Sequence, residues 1–317
     1  MGPGSGLRPD LASGDAAAKP GRRPGPDLLA RTFQWACALD VETRKPGNVS
    51  LASPGHRMQA QEFLDSARVA AGPLAQAGMG VGARIEGAVA ATRALVQCNT
   101  NLGIVLLCAP LLAAAQGGAQ DAAALRDAVG HVLAALDVAD ARAAYRAIAL
   151  ASPGGLGRAD QQDVAAEPTV DLRTAMTLAA DRDRVARQYA GTYDDVFVLG
   201  LPAFGESRRR ALAAGADAAG AARAGLLRAY LEFLAAFPDS HIVRGRGDDA
   251  AHSVMAEAAP WRSRARAADP QGDPALAAWD ESLKARALNP GTSADLCVAT
   301  ALVAALVEPG LGEVVRA

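Results

Sequence analysis

The chain of 317 residues is 50% hydrophobic, only 4% aromatic, and carries a formal net charge of −2. That length and apolar content can build one large core, and the near-neutral balance offers no basic face for nucleic acid. A core drawn chiefly from Ala, Leu and Val, with little aromatic bulk, predicts an all-α fold.

Residues 1–26 are rich in Gly, Pro, Ala and Arg and contain no apolar h-region, which predicts a disordered low-complexity tail rather than a secretory signal. One all-helical domain is expected over 27–317. Asp27 can cap a helix running to about Thr43, with Leu28, Thr32, Trp35 and Leu39 on one face. A Pro/Gly-rich loop covers 44–58, and helices follow over 59–76, 81–98, 101–116, 120–135 and 138–151. A polar loop spans 152–168, long enough to suggest a functional role. Helical periodicity resumes over 171–190, 192–214, 217–236, 247–267, 273–288 and 292–307, so the domain is a bundle of roughly ten to twelve helices.

The longest apolar run, Gly103 to Ala115, is interrupted by Pro110 and is shorter than the about 20 residues a bilayer needs. No membrane association is expected. Cys37, Cys98, Cys108 and Cys297 lie singly in apolar stretches without metal-ligand spacing, which suits reduced, buried thiols of a cytoplasmic protein.

Three polar corners interrupt this apolar pattern. In Arg44-Lys45-Pro46-Gly47-Asn48-Val49-Ser50, Gly47 allows close backbone approach to a ligand, and Lys45 could meet a phosphate as a point charge. A plain helix-ending turn explains the same residues. Asn99-Thr100-Asn101 separates two apolar helices; one of the three can cap the second helix, which leaves the other two unexplained. Thr292-Ser293-Ala294-Asp295 loosely fits a capping box, yet Asn289-Pro290-Gly291 before it could expose backbone amides to a phosphate or metal-bound ligand. His56 reads as a surface histidine, and Asp239-Ser240-His241 as a turn with a cap. In Asp181-Arg182-Asp183-Arg184, Asp181–Arg184 and Asp183–Arg187 read as i,i+3 and i,i+4 pairs on a helix surface. Glu86, on a face of small residues, pairs with Arg93 or reaches an internal site.

Taken in order, Lys45-Pro46-Gly47-Asn48-Val49, Asn99 to Gly103, Pro238 to His241 and Gly291 to Leu296 resemble the triphosphoribosyl-dephospho-CoA synthase family over residues 28–307. The resemblance implies an all-helical enzyme that displaces adenine from ATP and transfers the triphosphoribosyl group to 3′-dephospho-CoA, with Mg²⁺ accompanying the triphosphate. It implies phosphate or ribose contacts from Lys45, Gly47, Asn48, Asn99, Thr100, Asn101, Gly291 and Ser293. It further implies catalytic carboxylates among Asp295, Glu86 and Asp239, and metal ligands in Asp183 and Asp295. Better-known members carry Asn-Thr-His-Lys-Gly where this chain has Asn99-Thr100-Asn101-Leu102-Gly103. The Asn-Leu form resembles a divergent branch tied to methanopterin-type cofactors. A pterin precursor is therefore an alternative acceptor, and a non-catalytic helical nucleotide-binding or scaffold protein is the remaining alternative.

Overall fold

In the computed structural model, residues 23–308 and 310–313 are described; most of the expected N-terminal tail lies outside them. Fourteen α-helices run through the described residues. They are α1 (Pro26–Glu42), α2 (Ala60–Ala75), α3 (Val81–Leu95), α4 (Leu102–Ala115), α5 (Ala122–Ala134), α6 (Val138–Ala151) and α7 (Leu172–Thr177). After these come α8 (Arg184–Ala190), α9 (Leu201–Ala213), α10 (Ala218–Ala236), α11 (Ser240–Arg246), α12 (Asp248–Ala267), α13 (Pro274–Ala285) and α14 (Gly291–Val307). A π-helical turn, Asp195–Gly200, leads into α9. The all-α expectation holds; the helix count slightly exceeds ten to twelve.

Two differences account for the extra helices. The helix expected over 171–190 is broken, because Asp183 turns its carboxylate onto the amides of Val185 and Ala186 and starts a new helix. Asp181 to Arg184 therefore do not form the expected surface pairs: Arg184 reaches Asp195, and Asp183 reaches Arg244. Secondly, Asp239 nucleates the seven-residue α11, too short to show a period in the sequence.

The most apolar helices are the innermost. α14 is buried along nearly its whole length and packs on α1, α4, α9 and α10. α1 buries Leu29, Phe33, Ala36 and Leu39, while Leu28, expected on that face, is 38% exposed. α4 continues through Pro110. A proline there cannot donate to the carbonyl of Leu106. The hydroxyl of Tyr189 donates to it instead at 2.7 Å, and Tyr193 donates to Leu107 O at 2.7 Å. Both tyrosines are fully buried, and the Tyr189 bond satisfies the one carbonyl the proline leaves without its helical donor.

With little aromatic filler, helices close the gaps by direct approach. A Cβ on Gly82 would lie 2.5 Å from Asp140 Cα on α6, and one on Gly200 would lie 2.5 Å from Phe233 and Thr300 side-chain atoms. Among the described residues, no helix is long and apolar enough to cross a membrane.

Candidate active site

α4 and α14 both begin at one cleft of about 430 Å³. The N-terminal ends of α8 and α11 also reach it, and the segment 153–164 covers one side. Helix N-termini carry unpaired N–H groups and the positive end of the macrodipole, which favour negative charge; at α8 and α11 the carboxylates of Asp183 and Asp239 already take that place.

The floor is acidic. Asp295, the fifth residue of α14, retains partial exposure through the cleft. Its carboxylate sits directly over Gly103 of α4, where an added Cβ would overlap Oδ2. Burial pushes its pKa well above the usual carboxylate range, and the negative charges of Asp40, Asp239 and Asp183 push it further. Asp40 also lines the cleft. Lys45 lies 3.1 Å from Asp40 Oδ1, an oxygen with no hydrogen bond among the described residues. Desolvation raises the Asp40 pKa while Lys45 opposes it.

Polar amides ring this floor. Asn48 donates to Asn289 Oδ1 at 3.0 Å, Asn99 accepts from Leu102 N at 3.2 Å, and Asn101 donates to Thr92 Oγ1 at 3.0 Å. All of these asparagines line the cleft, as do Thr100, Gly291 and Asp183. Thr100 is tied to Ser66 Oγ at 2.6 Å. The three polar corners of the sequence thus meet in space.

Several proposed contacts lie elsewhere. Lys45 is fully buried and donates to the Asp40 carbonyl at 2.5 Å, so its charge serves Asp40 and is not offered to the cleft. Gly47 adopts φ +83°, its N–H reaches Asp280 at 2.9 Å, and a Cβ would lie 2.8 Å from Pro290. It seals the loop against 288–290 and does not touch the cleft. His56, expected at the surface, closes the same loop through Gly47 O at 2.8 Å. Asp239 accepts from His241 N and Ile242 N, and its other oxygen accepts from Ser293 N at 2.7 Å and Ser293 Oγ at 2.8 Å. Asp239 and Ser293 are therefore a buried clamp joining the starts of α11 and α14. Glu86 pairs with Arg146, not Arg93, through two bonds of 2.6 Å on the outside of the bundle.

The clamp makes a prediction. Asp239→Ala should remove a cap and leave Ser293 with buried, unpaired donors, costing about 3 kcal/mol of stability. Urea unfolding measures it; an unchanged midpoint with lost activity would instead place Asp239 in the chemistry.

From the sequence alone Asp40 and Arg244 carry no role, and His241 reads as part of a turn. His241 lines the cleft, its ring packed on Gly291, where a Cβ would lie 2.9 Å from Nδ1. Burial pulls its pKa below the ordinary histidine value; Arg244 and His56 add to this while Asp239 and Asp183 oppose it. The guanidiniums on the cleft are Arg182 and Arg244, the latter paired with Asp183. Asp239 could have flagged His241: a capping Asp fixes the direction in which the first side chains of its helix leave.

Among the described residues, no group of three or more His, Cys, Asp or Glu side chains is arranged to hold a metal ion. Asp183 spends both oxygens on the α8 amides and Arg244. The donors that remain, Asp40 and Asp295, suit a cation shared with a ligand's own oxygens and not an all-protein cage.

The sequence matches the family model for ATP:dephospho-CoA triphosphoribosyl transferases (CitG) over residues 26–313. No curated protein gives a significant match. Among solved structures, the chain is similar to the crystal structure of an Archaeoglobus fulgidus protein whose own assignment as a triphosphoribosyl-dephospho-CoA synthase is inferred. The two share 20% identity with a TM-score of 0.59, covering 78% of this chain and 98% of that one. At that identity the likeness is one of fold.

Proposed function

The chain belongs to the ATP:dephospho-CoA triphosphoribosyl transferase family, and from that membership we propose how the cleft performs the transfer. In the reaction, the bond from ribose C1′ to adenine N9 breaks and a bond from C1′ to the acceptor hydroxyl oxygen forms. The hydroxyl proton leaves to a base, and adenine departs having gained a proton.

One observation supports this reading above the others: the Asp295 carboxylate, crowded by other acids, faces the cleft at the start of two helices. Positive charge develops at C1′ as adenine leaves, and a preorganised carboxylate stabilises it most when water is excluded. The same acids disfavour an ionised Asp295 when nothing cationic is bound, and Mg²⁺ arriving with the triphosphate would restore its charge. The triphosphate is assigned to Arg244 and Arg182 as cationic contacts, with the amides of Gly103 and Ile104 in the first turn of α4. Asn48, Asn99, Asn101 and Asn289 are assigned to the ribose and phosphate oxygens. Mg²⁺ would be held by Asp40 and Asp295 together with triphosphate oxygens, where it supplies charge neutralisation.

His241 is assigned as the base that accepts the acceptor's hydroxyl proton, because its ring lines the cleft and is held neutral by its surroundings. Protonation on the acid side would disable it. The kcat/KM of the native enzyme should therefore fall as pH drops, with an apparent pKa below the ordinary histidine value of about 6.5. In His241→Gln that acid limb should disappear and kcat should be lower by roughly 10²-fold. A variant that keeps the limb would remove His241 from the role.

The decisive experiment incubates the protein with ATP and Mg²⁺, with or without 3′-dephospho-CoA, and measures free adenine. Adenine that appears only with dephospho-CoA supports the reading. Adenine with a pterin precursor alone would move the acceptor to the methanopterin-type cofactors. No adenine with either, and no thermal shift by Mg-ATP, would leave a non-catalytic helical protein.

A further inference from the structure

The cleft is two-faced. Beyond the polar floor it continues as an apolar channel between the 153–164 segment and the faces of α4, α6 and α7. Ile104, Leu106, Ile148 and Met176 are buried except for a last 5–9% of their surface, and that remainder faces the channel. Leu156 and Leu178 line the same space and are 44% and 45% exposed.

The outer wall is braced in place. Gly155, at φ +72°, lies so close to α11 that a Cβ would stand 2.7 Å from Arg244 O. Tyr145 donates to Gln162 O at 2.6 Å. Asp163 accepts from Ala159 N at 2.6 Å and Ala165 N at 2.8 Å, and Gln162 and Thr169 are joined by two bonds. A wall held by this many local bonds keeps an apolar channel open in the folded protein.

ATP does not need such a channel, since apart from its base it is polar throughout. The other substrate named by the family does: 3′-dephospho-CoA carries a long, thin arm that alternates apolar methylene segments with two amides. Gln161, exposed on this wall and outside the bonds that hold Gln162 and Asp163, supplies a polar partner along an otherwise apolar surface, which suits an amide of that arm. The geometry points to the channel between residues 153–164 and α7 as the subsite for the pantetheine arm of the acceptor, leaving the acceptor's ribose at the acidic floor. This rests on the transfer reading above and adds the part of the site that selects the acceptor.

The test uses 4′-phosphopantetheine, the arm without its nucleoside. It should inhibit the native enzyme competitively against dephospho-CoA and not against ATP. Leu156→Asp and Ala179→Phe place a charge or bulk at positions with partial exposure, where folding is little affected. Each should weaken calorimetric binding of phosphopantetheine, and raise KM for dephospho-CoA, by tenfold or more, with KM for ATP within twofold. Competition against ATP, native-like binding by both variants, or no binding by the native protein at millimolar concentration would each overturn the assignment. The binding arm does not depend on turnover. Absent adenine release with intact phosphopantetheine binding would sink the transfer reading and keep the subsite; the converse would sink only the subsite.

Discussion

Asp295→Asn should lower adenine release by about 10³-fold and raise the melting temperature in the same variant. The two effects have one origin. Asp295 is placed among Asp40, Asp239 and Asp183 with its pKa raised by burial and by their charge. A carboxyl whose folded-state pKa is raised supports the fold fully only below its unfolded value of about 3.9, and that support is lost as pH rises. At pH 7 the folded protein must either bury a charge beside like charges or hold a proton against solvent, and asparagine does neither. The gain in melting temperature should therefore be clear at pH 7, shrink toward pH 4 and vanish near pH 3. Calorimetric scans across that range, beside an adenine assay, measure both. A variant that melts lower at pH 7, or keeps a tenth of the activity, would remove Asp295 from the centre of the chemistry.

Gly103→Ala should cost about 10²-fold in turnover while the helix itself is unharmed. Alanine is the better helix former, so α4 gains locally. The added methyl, however, would occupy the volume that now holds the Asp295 carboxylate. The side chain must swing away from the cleft floor or α4 and α14 must part. Turnover should fall with far-ultraviolet helicity retained, and in the double variant Gly103→Ala should add little to the loss caused by Asp295→Asn. Additive losses would show that Gly103 acts apart from Asp295.

Much of this architecture is legible in the amino acids. α4 and α14 are apolar on every side, and each opens on a polar corner, so a site at helix starts follows from the pattern of Asn99-Thr100-Asn101 and Gly291 to Asp295. What is not legible is which polar residues turn inward. Lys45 reads as a free cation until Asp40, five residues earlier, is seen to claim it. Ser293 reads as a ligand contact until Asp239, 54 residues away, takes both of its donors. Glu86 sits among small residues because α6 lies against that helix, and its carboxylate is then drawn outward by Arg146. Each error has the same physical source: a buried polar group must find a partner, and tertiary structure alone decides which. The broken helix at 178–183 has a local cause instead, the capping preference of Asp183 overriding periodicity.

The close seams at Gly82 and Gly200 give this protein a lopsided response to change. Trimming a buried alanine to glycine removes one methyl and opens only a small void. Thickening a seam leaves nowhere for a methyl to go, since helix backbone or a rigid ring already stands there. Variation at these two seams should thus stall at any side chain larger than glycine, however much local helix propensity a methyl would add.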